Sequence, residues 1–220
     1  MAHLADLARQ IEEQTRDYEV REETVEVALA LVKPDGFQKK IEDGAEIYTA
    51  EITYPIDRQR LLLSWEQMKA RNRGDFGFHY TPYDFDSNPE ASFFEQLLDH
   101  LNLRPQQVED IYFTGALTTP DKTDFYVEYK GEDGESHRYT PDFIIRRKDG
   151  RCLIVEIKNV QFEAATKEDL ARAERGDAVL TVEGRKAVAL KKWEQLNPDR
   201  LRYEIIFARA EAIGYEQTKR

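Results

Sequence analysis

Residues Tyr139 to Asn159 read YTPDFIIRRKDGRCLIVEIKN, and this stretch decides how the rest of the chain is to be understood. Phe143-Ile144-Ile145 and Leu153-Ile154-Val155 through Ile157 are two short apolar runs, and Lys148-Asp149-Gly150 between them has turn chemistry, so a β-hairpin is expected. Asp142, Glu156 and Lys158 are set into these apolar runs. Charged side chains are seldom fully buried without a partner or a metal. Two carboxylates that can meet, with a lysine two residues beyond one of them, suit a hard divalent cation and a phosphodiester. The carboxylates supply oxygen ligands, and the lysine orients water or neutralises phosphate.

The register of the hairpin is the sharpest expectation. A two-residue Asp149-Gly150 turn would put Asp142 opposite Ile157, with its side chain on the wrong face for Glu156. A three-residue Lys148-Asp149-Gly150 loop, with Gly150 left-handed, puts Asp142 opposite Glu156 instead. Glu156 and Lys158 share a face by the two-residue period of a strand.

Pro141-Asp142, an apolar strand, a turn and a second strand ending Glu156-x-Lys158 make the chain resemble the PD-(D/E)XK nucleases. More narrowly it resembles the C-terminal endonuclease domain of type III restriction enzyme Res subunits. The upstream YDFDSNPEASFFEQL, from Tyr83, is similar to that family's Asp-Ser-x-x-Glu-x-x-Phe lead into its first core helix. The likeness spans about Tyr83 to Phe207. Three further Pro-Asp pairs, Pro34-Asp35, Pro120-Asp121 and Pro198-Asp199, lead into no apolar run with Glu-x-Lys and are read as turns.

The resemblance implies an α/β fold: a restriction-endonuclease-like αβββαβ core with a mixed central sheet flanked by helices. It implies a Mg²⁺- or Mn²⁺-dependent endonuclease of restriction type acting on DNA. Asp142, Glu156, Glu90 and the Ile157 carbonyl would hold the cation, and Lys158 would position the attacking water. The helicase that precedes this domain in the family is missing here, and no Gly-x-x-x-x-Gly-Lys loop is present. A separate helicase, translocase or methyltransferase partner, a homodimer, or a stand-alone nuclease all fit. Asn159 stands where the family commonly has glycine. Two other readings fit the same residues: a catalytically inactive nuclease-fold module that binds nucleic acid or protein, and a nuclease acting on RNA or branched DNA.

Around this centre, residues 1–80 form an α+β extension, 81–210 the nuclease domain and 211–220 a polar tail. The extension is expected to hold a helix over 3–17, alternating stretches at 24–32 and 45–56, and a helix over 57–72. The domain opens with a helix over 89–102, behind a Ser87 or Asn88 cap and with Pro89 in its first turn. Phe93, Phe94, Leu97, Leu98 and Leu101 form its apolar face, with Glu90 near the centre of that face. Glu90 also stands three residues after Ser87, where it completes a capping box. Glu95 is the alternative helix acid. Strands follow at 108–114 and 123–130, with a polar turn over 131–136. Residues 160–183, charged and without apolar period, read as an insertion or flexible lid. A helix over 184–196 and a strand over 203–207 complete the core.

The 220 residues are 40% hydrophobic and carry a net charge of −11, which argues against a simple nucleic-acid clamp. The basic charge is local: +3 over 144–151 and +4 over 184–202, against −4 over 1–24 and −3 over 163–183. Arg146, Arg147, Arg185 and Lys192 are accordingly the candidate DNA-backbone contacts. No apolar run is long enough to span a membrane, the N-terminus lacks signal-peptide order, and the four histidines have no zinc spacing. With a single Cys152 no intrachain disulfide can form, and a cytoplasmic protein with no membrane partner is expected.

Overall fold

The computed structural model describes residues 29–51, 54–115, 119 and 122–209. A mixed central sheet of four strands, β5 (Val108–Phe113), β8 (Phe143–Arg147), β9 (Cys152–Asn159) and β10 (Leu201–Ala208), carries helices on both faces. Its order is β10-β9-β8-β5. The β5–β8 and β8–β9 pairs are antiparallel, and β10 lies parallel to β9. A parallel neighbour cannot be reached through a tight turn. The forty-odd residues between β9 and β10 supply the crossover as two helices, α3 (Glu163–Glu174) and α4 (Val182–Leu196).

Because both faces are covered, β8 and β9 read as continuous apolar runs rather than alternating ones. Phe143, Ile145, Val155 and Ile157 face α2 (Asn88–Leu101), packing with Phe93, Phe94, Leu97, Leu98, Ile111, Phe113 and Ile206. Ile144 and Ile154 face α4, packing with Ala187, Leu190, Tyr203, Phe125 and Val127. Full burial of one such side chain contributes about 1.5–3 kcal/mol. Ser87 caps α2 as expected, its hydroxyl accepting from the Glu90 N–H.

The hairpin has the expected three-residue loop. Phe143 pairs with Val155, Ile144 with Ile154, Ile145 with Leu153 and Arg146 with Cys152. Arg147 N–H donates to the Arg151 carbonyl, and Gly150 takes φ +84°, the left-handed value that glycine adopts without a Cβ clash.

Four expectations are corrected. The helix expected over 57–72 is broken into a 3₁₀ segment (Ile56–Leu61), a two-residue strand β3 (Leu62–Leu63) and a single turn α1 (Trp65–Met68). Leu62 and Leu63 are drawn into pairing with β4 (Tyr83–Asp84), and Ser64 restarts the helix through a capping box with Gln67. The strand expected over 123–130 is confined to β6 (Val127–Lys130), and the strand β7 (Ser136–Tyr139) lies partly where a turn was expected. These two pair with each other outside the central sheet. Among the described residues of the alternating stretch 45–56, only Ala45–Thr49 form a strand (β2), paired with β1 (Gln38–Glu42). Half of 160–183, expected as an insertion or flexible lid, is the regular helix α3 packed on α4. Its buried residues are Thr166 and Asp169, so it carries no apolar stripe to be read.

The helix expected over 3–17, most of the stretch 24–32, Pro120-Asp121 and the tail 211–220 lie outside the described residues. Pro34-Asp35 opens a 3₁₀ turn, and Pro198-Asp199 forms a turn between α4 and β10, as read.

Candidate active site

Asp142 immediately precedes β8, and continuation of the β8–β9 register places it opposite Glu156. Both project from the α4 face, as does Lys158 two residues on. The β8–β9 ladder ends at Phe143, leaving the Ile157 N–H beyond its last partner. Asp142 Oδ2 accepts that N–H at 2.7 Å, so the carboxylate completes the ladder where the strand has stopped. In an extended strand the N–H and C=O of one residue lie on the same side, so the Ile157 carbonyl also faces Asp142. The Asp142 backbone is tied down in turn: its carbonyl accepts from Thr114 N–H at 2.9 Å, and the buried Thr114 hydroxyl donates to the Pro141 carbonyl.

Glu156 and Lys158 are both buried, at 6% and 8% exposure. Lys158 Nζ donates to Glu156 Oε1 at 2.8 Å, and the Tyr139 hydroxyl at the end of β7 donates to Glu156 Oε2 at 2.7 Å. A further acid arrives from across the site: Glu183, in the first turn of α4, pairs with Lys158 through Oε2 and with Lys186 Nζ through Oε1 at 3.0 Å. Lys186 Nζ also sits 5.2 Å above the centre of the Tyr139 ring.

The placement of Glu183 depends on α3. Asp169 accepts from Leu180 N–H at 2.9 Å, Thr181 N–H at 2.8 Å and the Thr181 hydroxyl at 2.6 Å. Thr181 then caps α4 by accepting from Gly184 N–H at 2.9 Å. A Cβ on residue 184 would fall 2.3 Å from Asp169 Oδ2, so the close approach of α3 to the start of α4 requires glycine there.

Glu90 is buried at the start of α2. Its Oε1 accepts from the Ser87 hydroxyl at 2.6 Å and its Oε2 from Asp86 N–H at 3.1 Å, so it serves the helix cap. Burial pushes its pKa up to about 7 against those two hydrogen bonds, and the charges of Asp86 and Glu156 add to the rise. The Asp142 carboxyl is raised well above the usual carboxylate range by burial, then by Glu156 and Glu90. These three acids therefore feel one another. Burial works against the Lys158 ammonium, but Glu156 and Glu183 outweigh it and hold the pKa above the ordinary lysine value. Burial likewise pushes Glu183 up, and Lys158 and Lys186 more than reverse it.

Glu95, the alternative helix acid, is turned away and pairs with Arg71 at 2.5 Å. The expected DNA-backbone contacts do not converge on this cluster. Arg146 lies four residues along the strand from Asp142, roughly 13 Å away, and its guanidinium is bound to Glu109. Arg147 pairs with Asp149 at 3.1 Å. Arg185 donates to the Gly131 carbonyl at 3.2 Å, and Lys192 lies nine residues beyond Glu183, roughly 14 Å along α4. Among the described residues, the cations paired with the acids of the cluster are Lys158 and Lys186. Sequence reasoning missed Tyr139, Glu183 and Lys186. The available signal was Thr181 as cap, which starts the helix at Val182 and puts Glu183 and Lys186 at i, i+3.

Among the described residues no three His, Cys, Asp or Glu side chains already stand in a metal-holding arrangement. The chemistry of the donors nevertheless fits a hard divalent ion: Asp142, Glu156 and the Ile157 carbonyl offer the oxygen donors that such an ion takes. Burial first, and the neighbouring acids after it, raise the pKa values of Asp142 and Glu90, and a bound divalent ion would favour the ionised carboxylates against both. Comparison with protein-family models, curated proteins and solved structures gave no match to the chain. Among the described residues no helix is long and apolar enough to cross a membrane.

Proposed function

We propose that the protein is a metal-dependent endonuclease hydrolysing DNA phosphodiester bonds, of restriction type, on a restriction-endonuclease-like αβββαβ core. One observation carries this reading: Asp142 stands opposite Glu156 on one face of the hairpin, with Lys158 on that same face. The order α2, β5, β8, β9, α4, β10 with β10 parallel to β9 is the order that the PD-(D/E)XK resemblance implies.

Asp142, Glu156, the Ile157 carbonyl and Glu90 are the groups that would hold Mg²⁺ or Mn²⁺. When bound, such an ion polarises a phosphate and lowers the pKa of a coordinated water. The chain's own part follows from its geometry. Lys158 is kept as an ammonium by its carboxylate neighbours. It therefore acts as a fixed cation against charge building on the phosphate rather than as a proton acceptor, and a partly dry site strengthens that action. Tyr139 fixes the rotamer of Glu156 through its hydrogen bond. A separate ATP-driven partner and a cytoplasmic location belong to the same proposal.

A second reading rests on the ion pairs themselves. Lys158 is paired with both Glu156 and Glu183, a satisfied network of the kind that occurs in inactive, purely binding modules. Incubating plasmid with Mg²⁺ or Mn²⁺ and the native chain, Asp142→Ala or Lys158→Ala separates the two. The nuclease reading expects nicked or linear product from the native chain and a loss of at least about a hundredfold in both variants. Cutting that survives in both variants, or none by the native chain, would contradict it.

A further inference from the structure

We propose that Glu183, anchored through Asp169 and braced by Lys186, is a positioning residue that keeps the Lys158 ammonium over the carboxylate pair when Glu156 turns to a cation. The inference rests on the nuclease reading and assigns roles to two residues that reading leaves unused.

Lys158 cannot depend on Glu156 alone. The 2.8 Å contact uses Glu156 Oε1, and Oε2 is engaged by Tyr139. A divalent ion at Asp142 and Glu156 would compete for the same carboxylate and repel an ammonium so close to it. A lysine released from its partner regains rotamer freedom and leaves its productive position. Glu183 is a second anchor on a different element, and it reaches Lys158 from the α4 side.

That anchor is itself fixed at each point. Three hydrogen bonds from the Leu180–Thr181 segment to Asp169 set the first turn of α4, and glycine at 184 permits the approach. The second oxygen of Glu183 is held by Lys186. Lys186 in turn rests over Tyr139, whose hydroxyl binds Glu156. The contacts close into a ring, Glu156–Lys158–Glu183–Lys186–Tyr139, so moving Glu156 loads Glu183 rather than freeing Lys158. The polar helix α3 thereby has a use: it sets the position of Glu183.

The test compares the full-length native chain with Glu183→Gln, Glu183→Asp and Lys186→Met. In plasmid cleavage, Glu183→Gln is expected to lower kcat by about tenfold or more with the KM for DNA within about twofold, since the contact serves the transition state rather than binding. Glu183→Asp is expected to recover part of the loss, and Lys186→Met to fall between. A second readout does not depend on cutting. With ¹⁵N-labelled lysine, the held Lys158 ammonium gives a slowly exchanging NMR signal, assigned by its disappearance in Lys158→Ala. That signal is expected to persist in saturating Mg²⁺ in the native chain and to be lost in Glu183→Gln. Unchanged kcat and KM in a folded Glu183→Gln, or a lysine signal equally persistent in both, overturns the inference while leaving the nuclease reading intact. A native chain that cuts nothing sinks the nuclease reading instead, and the lysine signal alone then decides whether Glu183 holds Lys158.

Discussion

Replacing Glu90 by Gln removes an acid whose ionisation the folded chain resists. Burial, Asp86 and Glu156 raise its pKa from the ordinary 4.5 to about 7. Below pH 4.5 the carboxyl is protonated in folded and unfolded chains alike, so it contributes no pH dependence there. Between 4.5 and 7 the unfolded chain ionises while the folded one keeps its proton, so stability falls as pH rises. Above 7 both are ionised and the full penalty remains. At about 1.4 kcal/mol per pH unit the gap amounts to about 3 kcal/mol. Glutamine keeps one acceptor oxygen for either Asp86 N–H or the Ser87 hydroxyl. A lost hydrogen bond of about 1 kcal/mol shifts the whole curve without changing its slope. Asp142, also raised, acts in the same direction in both proteins. The assay is urea unfolding in EDTA from pH 4.5 to 8. Relative to Glu90→Gln, the native chain is expected to lose about 3 kcal/mol across that range. Parallel curves would show that Glu90 titrates normally, and the account of a crowded, charge-rich site would lose its main thermodynamic support.

Two further substitutions test how the site is held. Gly150→Val forces a β-branched residue into a left-handed position at the turn that sets the hairpin register, at a cost of about 1–2 kcal/mol. A melting temperature several degrees lower, with plasmid cleavage retained once folded, is the expected outcome, and an unchanged melting temperature would contradict the turn assignment. Asp169→Ala strips three donors of their acceptor at the start of α4, and urea unfolding should show a loss of about 1–3 kcal/mol. A loss no larger than that of an exposed surface substitution would mean that α3 does not anchor α4.

The hairpin was legible because two independent signals agreed. A glycine stood where a left-handed residue was needed, and the two-residue period put Glu156, Lys158 and Asp142 on one face under only one loop length. The helix α2 was legible for a similar reason: Phe93, Phe94, Leu97, Leu98 and Leu101 form one face, and Ser87 marks its start. What escaped was written in polar residues or in distant pairing. The helix α3 buries Thr166 and Asp169, which carry no apolar period. The strand β7, Ser-His-Arg-Tyr, is polar and is stabilised by pairing with β6. Leu62 and Leu63 leave an otherwise helical stretch because Tyr83 and Asp84, some twenty residues on, pair with them. Glu183 was hidden by starting its helix two residues late, at Gly184. The basic residues nearest the motif in sequence, Arg146 and Arg147, lie at the far end of the strand that follows Asp142, away from the carboxylate cluster.

The central claim is that Asp142 and Glu156 together hold a divalent cation. Diffraction from crystals soaked in Mn²⁺ and recorded for anomalous signal tests it most directly. The account predicts a peak about 2.0–2.6 Å from a carboxylate oxygen of each residue. Saturating Mn²⁺ with no peak between the two carboxylates, while Lys158 remains paired with Glu156, would contradict it.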